Sequence, residues 1–139
     1  MGLTDNLKKQ HQEILGIAGE ISSELNIKNL QENPNNVVKL LSKLSGKLKF
    51  HLTMEDQSLY PKLINHENVQ INTMANKFVD EMGGIAKAFT EFMSKWNNSE
   101  NIKSEPQEFI KETKNLFVVV SKRIEKEDNQ LYKKYDEIS

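Results

Sequence analysis

Apolar residues recur at alternating steps of three and four through four long stretches of this 139-residue chain. Such spacing is typical of amphipathic helices that bury one face against their neighbours. The buried face of the first stretch reads Leu7, His11, Ile14, Ala18, Ile21 and Leu25. Thr4 is the expected N-cap of this helix, and polar breaks at 33–36, 65–68 and 97–106 separate the four stretches. The pattern predicts an all-α fold, an up-down-up-down antiparallel four-helix bundle that forms one domain over residues 1–139.

Composition limits the classes of function that such a bundle can have. Nineteen Lys and Arg residues against twenty Asp and Glu residues give a net charge of -1, which does not favour nucleic acid or an anionic membrane as a partner. The chain has no cysteine, so disulfides, zinc–thiolate sites and thiol nucleophiles are excluded. The sequence shows no apolar signal-peptide run and no membrane-spanning stretch, and we expect a cytoplasmic protein. Any metal partner must be held by His, Asp and Glu. The sequence does not identify a protein partner.

Five polar residues interrupt the apolar faces of three of the four predicted helices. They are His11, His51, Glu55, Arg123 and Glu127. Charged groups are rarely buried without partners, because desolvation costs several kcal/mol or more. We therefore expect these five side chains to be partners of each other or of a metal ion.

A weak internal repeat connects the second and fourth helices. The run 51–60 matches the run 123–132, with Glu, Asp, Leu and Tyr recurring in register and an Arg in the place of the first His. A similar alignment of the first and third helices places Met82 opposite His11. Two helical hairpins related by a pseudo-two-fold axis would bring all these positions together in the middle of the bundle.

The spacing of His51 and Glu55 puts both side chains on one helix face, where they can bind one metal together. With His11 and the repeated Glu127, this arrangement resembles the hemerythrin-like family, also called the HHE cation-binding domain. The most specific part is the run His-x-x-x-Glu-Asp-x-x-Leu-Tyr-Pro at 51–61, and the resemblance extends over nearly the whole chain. It implies a helical bundle around two irons, with a His from each helix and bridging carboxylates from the second and fourth helices.

Carried over to this sequence, the resemblance implies a set of four ligands, namely the terminal ligands His11 and His51 and the bridging carboxylates Glu55 and Glu127. Two positions depart from the family pattern. Met82 stands where the third helix should supply a His, and Arg123 stands where the fourth helix should supply one. If the histidines of the first two helices share one iron, the first metal keeps its ligands and the second loses both of its histidines.

Arg123 is expected to do more than remove a ligand. Its guanidinium does not lose its proton to become a metal ligand, and its geometry matches a carboxylate. We expect it to lie roughly where a second metal would be, bound to Glu55, Glu127 or both. Two carboxylates, Arg123 and one divalent metal leave one positive charge, which a hydroxide would cancel. A site without metal is also balanced, because two carboxylates, Arg123 and one protonated His sum to zero.

Other side chains near these positions are predicted to shape the site or to pack beside it. Met82 is expected to be core packing, since a thioether is a poor ligand beside hard carboxylates. Glu81 is expected to be exposed, although a small rotation of its helix would make it an extra ligand. Tyr60 and Tyr132 are expected either to cap the site through their hydroxyls or to serve as aromatic packing. His66 lies in a turn and is expected at the surface.

Three functions follow from these residues. The first is a hemerythrin-like metal-binding protein whose site is reduced to one divalent metal, with iron favoured over zinc or manganese. The second is a metal-free bundle that acts as an interaction or regulatory module. The third, ranked last because no substrate pocket or nucleophilic triad is recognisable, is a mononuclear iron enzyme. Reversible oxygen carriage is not expected. The family resemblance implies that oxygen carriage draws one electron from each of two irons, and a single iron cannot supply both electrons.

Overall fold

Helices make up nearly all of the chain in the computed structural model, which describes residues 2–139. The four longest are α1 (Leu3–Ser22), α3 (Pro34–Met54), α5 (Val69–Trp96) and α7 (Pro106–Lys126). The shorter ones are α2 (Ile27–Glu32), α4 (Tyr60–Ile64), α6 (Ser99–Ser104) and α8 (Tyr132–Ile138). No strand occurs among the described residues, so the predicted all-α class is confirmed. None of these helices combines the length and the apolar character that crossing a membrane requires.

Asparagines and prolines mark most of the helix starts, as their capping chemistry predicts. The side chains of Asn26, Asn68 and Asn98 accept hydrogen bonds from backbone N–H groups in the first turns of α2, α5 and α6. Pro34 and Pro106 lie in the first turns of α3 and α7, where a backbone N–H has no helical partner. Each of the three predicted polar breaks contains one or more of these starting residues.

Two expectations about the first stretch are wrong. α1 ends before Leu25, which lies in the turn that leads to the separate short helix α2. Thr4 is buried inside the first turn of α1, and the N-cap residue is Gly2. The Thr4 hydroxyl instead donates to Oδ1 of Asp136 at 2.7 Å, which ties α1 to α8. The third polar break likewise contains a short helix, α6, that the sequence pattern did not predict.

Two apolar clusters form the core, and the four predicted metal ligands lie between them along the chain. In the larger cluster Ile14 of α1 packs in a group that includes Leu48 of α3. In the smaller cluster Leu7 of α1 packs in a group that includes Leu59 and Leu131. α1 contacts α3 more extensively than any other element. The core therefore encloses a polar layer at the level where the sequence places its histidines and carboxylates.

Two π-helical turns, π1 (Glu55–Leu59) and π2 (Glu127–Leu131), join α3 to α4 and α7 to α8. A π turn contains more residues than an α turn, so it changes which side chains face the core after it. Each turn begins at one of the predicted carboxylates and is followed by a buried tyrosine, Tyr60 or Tyr132. The two turns occupy equivalent places in the internal repeat, so each half of the repeat has a carboxylate at the start of its π turn and a tyrosine directly after it.

Candidate metal centre

Four predicted ligands from different parts of the chain converge in the polar layer. They are His11 on α1, His51 on α3, Glu55 at the start of π1 and Glu127 at the start of π2. Each of these residues is at most 2% exposed. One nitrogen or oxygen atom from each side chain lies within 4.8 Å of those of the other three. The structure thus brings together the four side chains that the sequence placed in one site.

The spacing of these four atoms matches the edges of a coordination shell. Nε2 of His11 lies 3.0 Å from Nε2 of His51 and 2.9 Å from Oε1 of Glu127. Nε2 of His51 lies 3.3 Å from Oε2 of Glu55 and 3.5 Å from Oε1 of Glu127. Ligands held at roughly 2.0–2.2 Å from a metal are about 3.0–3.5 Å apart in octahedral or tetrahedral geometry. The four side chains therefore fit a first-row divalent cation.

Two acceptors outside the cluster orient the imidazoles. Nδ1 of His11 contacts Oδ1 of Asp128 at 2.8 Å, and Nδ1 of His51 contacts Oε1 of Gln10 at 2.8 Å. Carboxylate and amide oxygens accept hydrogen bonds, so each Nδ1 carries the proton, and the neutral imidazole keeps a lone pair on Nε2. This is the tautomer that binds a metal through Nε2. Neither acceptor was predicted from the sequence, although the recurring Asp of the internal repeat was a signal for Asp128; no sequence feature pointed to Gln10.

The cluster contains more acceptors than protons to share. Two imidazole lone pairs and two carboxylates face one another, and within residues 2–139 the hydroxyl of Tyr132 is the one neutral donor in contact with them. Oε1 of Glu55 is fully buried and has no hydrogen-bond partner among the described residues. A buried acceptor that stays unpaired is costly. This donor set therefore requires a cation, either a metal ion or an added proton.

Burial and the interactions among the groups of the cluster raise some of their pKa values and lower another. Burial lowers the pKa of His51, but hydrogen bonds to Glu127 and Glu55 outweigh it and raise this pKa from 6.5 to about 9. Burial raises the pKa of Glu55. Burial also disfavours the charged form of Glu127, yet its contacts with His11 and His51 and the charge of Arg123 bring its pKa well below the usual range. Without metal, a protonated His51 is the cation of the cluster.

Arg123 is 6% exposed and lies against one carboxylate of the cluster. Its Nε donates to Oε2 of Glu127 at 2.9 Å, while Nη2 donates to the hydroxyl of Tyr60 at 3.1 Å and to the carbonyl of Phe78 at 2.9 Å. The guanidinium also stacks over the Phe78 ring, 4.7 Å from its centroid. The sequence did not decide whether Arg123 binds Glu55, Glu127 or both, and in the structure Arg123 contacts Glu127.

The remaining predicted positions surround the cluster. Met82 is buried and lines an apolar cavity of about 20 Å³ beside the two histidines. Glu81 is partly exposed and pairs with Lys126 at 2.9 Å, and its carboxylate lies 3.8 Å from Nη1 of Arg123. His66 lies in the turn before α5, outside the cluster. Glu81 and His66 contribute nothing to the four-ligand cluster, whereas Met82 closes one side of it.

Comparison with known proteins identifies the family. The family model described as the hemerythrin HHE cation binding domain matches residues 2–135. Searches of curated proteins and of solved structures found no match. The matched region contains every side chain of the buried His and Glu cluster. With nearly its whole length matched, the chain belongs to the hemerythrin HHE cation-binding domain family.

Proposed function

We propose that the protein binds one divalent metal ion in a hemerythrin-like site that is reduced from two metals to one. The proposed ligands are His11, His51, Glu55 and Glu127. The observation that carries the proposal is the excess of buried acceptors over protons in this cluster. A divalent cation at its centre compensates both carboxylates and accepts both imidazole lone pairs. The histidines are already in the tautomer that metal binding requires, because their Nδ1 atoms are engaged from outside.

The internal repeat supports one metal instead of two. It pairs His11 with Met82 and Asp128 with Asp56. His11 and Asp128 form a hydrogen-bonded pair, whereas the equivalent positions hold a thioether and an exposed Asp. The second half of the site has thus lost both the imidazole and the bond that would orient it. Arg123, bound to Glu127, supplies in our proposal the positive charge of the second metal.

Iron is the metal that we propose, with zinc and manganese as competitors. Two imidazoles and two carboxylates are borderline-hard ligands that suit all three ions. A single iron cannot give one electron from each of two metals, so the proposal does not include reversible oxygen carriage. We further propose that the four long helices form an up-down-up-down bundle, that residues 1–139 are one domain, and that the protein is cytoplasmic.

A metal-free interaction or regulatory module is the second candidate function. The raised pKa of His51, about 9, favours it, because a protonated imidazole balances the cluster at neutral pH without any metal. In this alternative the polar layer is a buried ion-pair network, and the function lies on the surface of the bundle.

Metal analysis of protein expressed with added iron and purified without chelators separates the two candidates. We expect one metal per chain in the unmodified protein. His11→Ala should lower the affinity for iron by roughly tenfold or more, because it removes one of two nitrogen ligands. His66→Ala is the matched control and should keep the metal, because His66 lies outside the cluster. No metal in the unmodified protein would favour the metal-free module, and two irons per chain would overturn the single-metal site.

A further inference from the structure

The hydroxyl of Tyr132 lies among the proposed ligand atoms. The residue is fully buried. Its oxygen contacts all four ligand atoms, at 2.6 Å from Oε2 of Glu55, 3.2 Å from Nε2 of His11, 3.3 Å from Nε2 of His51 and 3.2 Å from Oε1 of Glu127. A hydroxyl that only capped the site would need contact with one or two of them. The Tyr132 oxygen instead stands as a fifth atom of the same cluster.

The single proton of the phenol does not account for all of these contacts. A phenol has one proton, and the 2.6 Å contact assigns it to Glu55. The remaining contacts bring the Tyr132 oxygen close to Nε2 of His11, Nε2 of His51 and Oε1 of Glu127, and the phenol has no second proton to share with them. Separations near 3 Å are also those of neighbouring ligands, which lie about 3.0 Å apart around an octahedral metal.

We propose that the hydroxyl oxygen of Tyr132 is a fifth ligand of the metal, which gives a set of two His, two Glu and one Tyr. This inference rests on the proposed function. When the metal binds, a metal–oxygen bond forms, the O–H bond of Tyr132 breaks, and the proton passes to water. The phenolate supplies the negative charge that the site otherwise lacks, because two carboxylates, Arg123 and a divalent metal leave one positive charge. No separate hydroxide is then needed for neutrality.

The other tyrosines of the chain have different environments. The chain has three tyrosines. The hydroxyl of Tyr60 accepts a hydrogen bond from Arg123 and belongs to the arginine side of the layer. Tyr135 is half-buried on α8, and Lys62 lies over its ring. Tyr132 is therefore the tyrosine whose ligation the structure assigns, and Tyr135 provides a matched control.

Iron bound to a tyrosinate has a spectroscopic signature that iron bound to His and Glu lacks. The protein is loaded with Fe(II) and oxidised with ferricyanide, which takes one electron from each iron. We expect a visible tyrosinate-to-Fe(III) charge-transfer band and phenolate ring vibrations in the resonance Raman spectrum. Tyr132→Phe should abolish both while it retains iron, and Tyr135→Phe should leave both unchanged.

The same measurements separate failure of this inference from failure of the proposed function. Iron bound at one per chain without the tyrosinate signature overturns the ligand assignment and leaves the metal site standing. Persistence of the signature in a folded Tyr132→Phe protein also overturns it, and absence of bound iron overturns both proposals. If Tyr132→Phe does not fold by circular dichroism, ring-deuterated tyrosine in the Tyr135→Phe and Tyr60→Phe proteins supplies the test. The ring vibrations must then shift with the isotope in both variants.

Discussion

Asp128 holds the His11 imidazole from the side opposite the cluster, at 2.8 Å from its Nδ1. Loss of such an outer partner typically weakens metal binding by roughly 10–100-fold, because the ring is no longer fixed in the binding tautomer and orientation. We therefore predict that Asp128→Ala weakens iron binding by this factor in a competition titration against a chromophoric chelator. Asp56→Ala is the control, since Asp56 is the exposed counterpart of Asp128 in the internal repeat. Equal affinities in the two variants would show that Asp128 does not support His11.

Single residues of the site differ in how far the sequence could predict them. His11, His51, Glu55 and Glu127 stood out because a buried charged or imidazole group on an apolar face needs a partner. Gln10 did not stand out, because it precedes His11 on the helix and its position is typical of an exposed residue. Its amide reaches His51 only through the packing of α1 against α3, and such a contact leaves no trace in the spacing of either helix.

Helix α5 carries two adjacent glycines in its interior, Gly83 and Gly84. A Cβ atom added at either position would meet nothing within 4 Å. Glycine in a helix interior costs about 0.5–1 kcal/mol relative to alanine, chiefly through its greater freedom in the unfolded chain. We predict that Gly84→Ala raises the free energy of unfolding by about that amount in urea denaturation and leaves the metal content unchanged. Gly2→Ala, outside the helix interior, should give no such gain; a destabilised Gly84→Ala protein would show that this backbone needs glycine.

At the level of whole elements, periodicity predicted the long helices and failed where the period changes. The three–four spacing assumes an unbroken α-helix, so it could not reveal the π turns at 55–59 and 127–131. The same spacing extended the predicted first helix to Leu25 and did not predict α2 or α6, because short helices contain too few buried positions to establish a period. The π turns matter most for function, because each is followed by a tyrosine buried in the core at the polar layer.

The polar layer affects the whole molecule, because its ligands come from α1, α3 and both π turns. Without a metal ion, the two buried carboxylates must be balanced by Arg123 and a protonated His51, and the desolvation of such groups lowers the net stability. A metal bound as we propose would join elements that are far apart in sequence, and it would belong only to the folded state. Our proposal therefore implies that the stability of the two apolar clusters depends on occupancy of the site that lies between them.

Metal removal should therefore destabilise the entire bundle. A ligand that binds only the folded state stabilises it by about 2.7 kcal/mol when its free concentration is 100 times its dissociation constant. We predict that iron-loaded protein unfolds at higher urea concentration than the same protein after treatment with EDTA, by a free energy of this order. The His11→Ala protein should show little difference between the two conditions, because its site binds iron weakly. Identical unfolding curves for loaded and EDTA-treated unmodified protein would contradict a metal held by this layer, because a metal bound only by the folded arrangement of these residues must raise the free energy of unfolding.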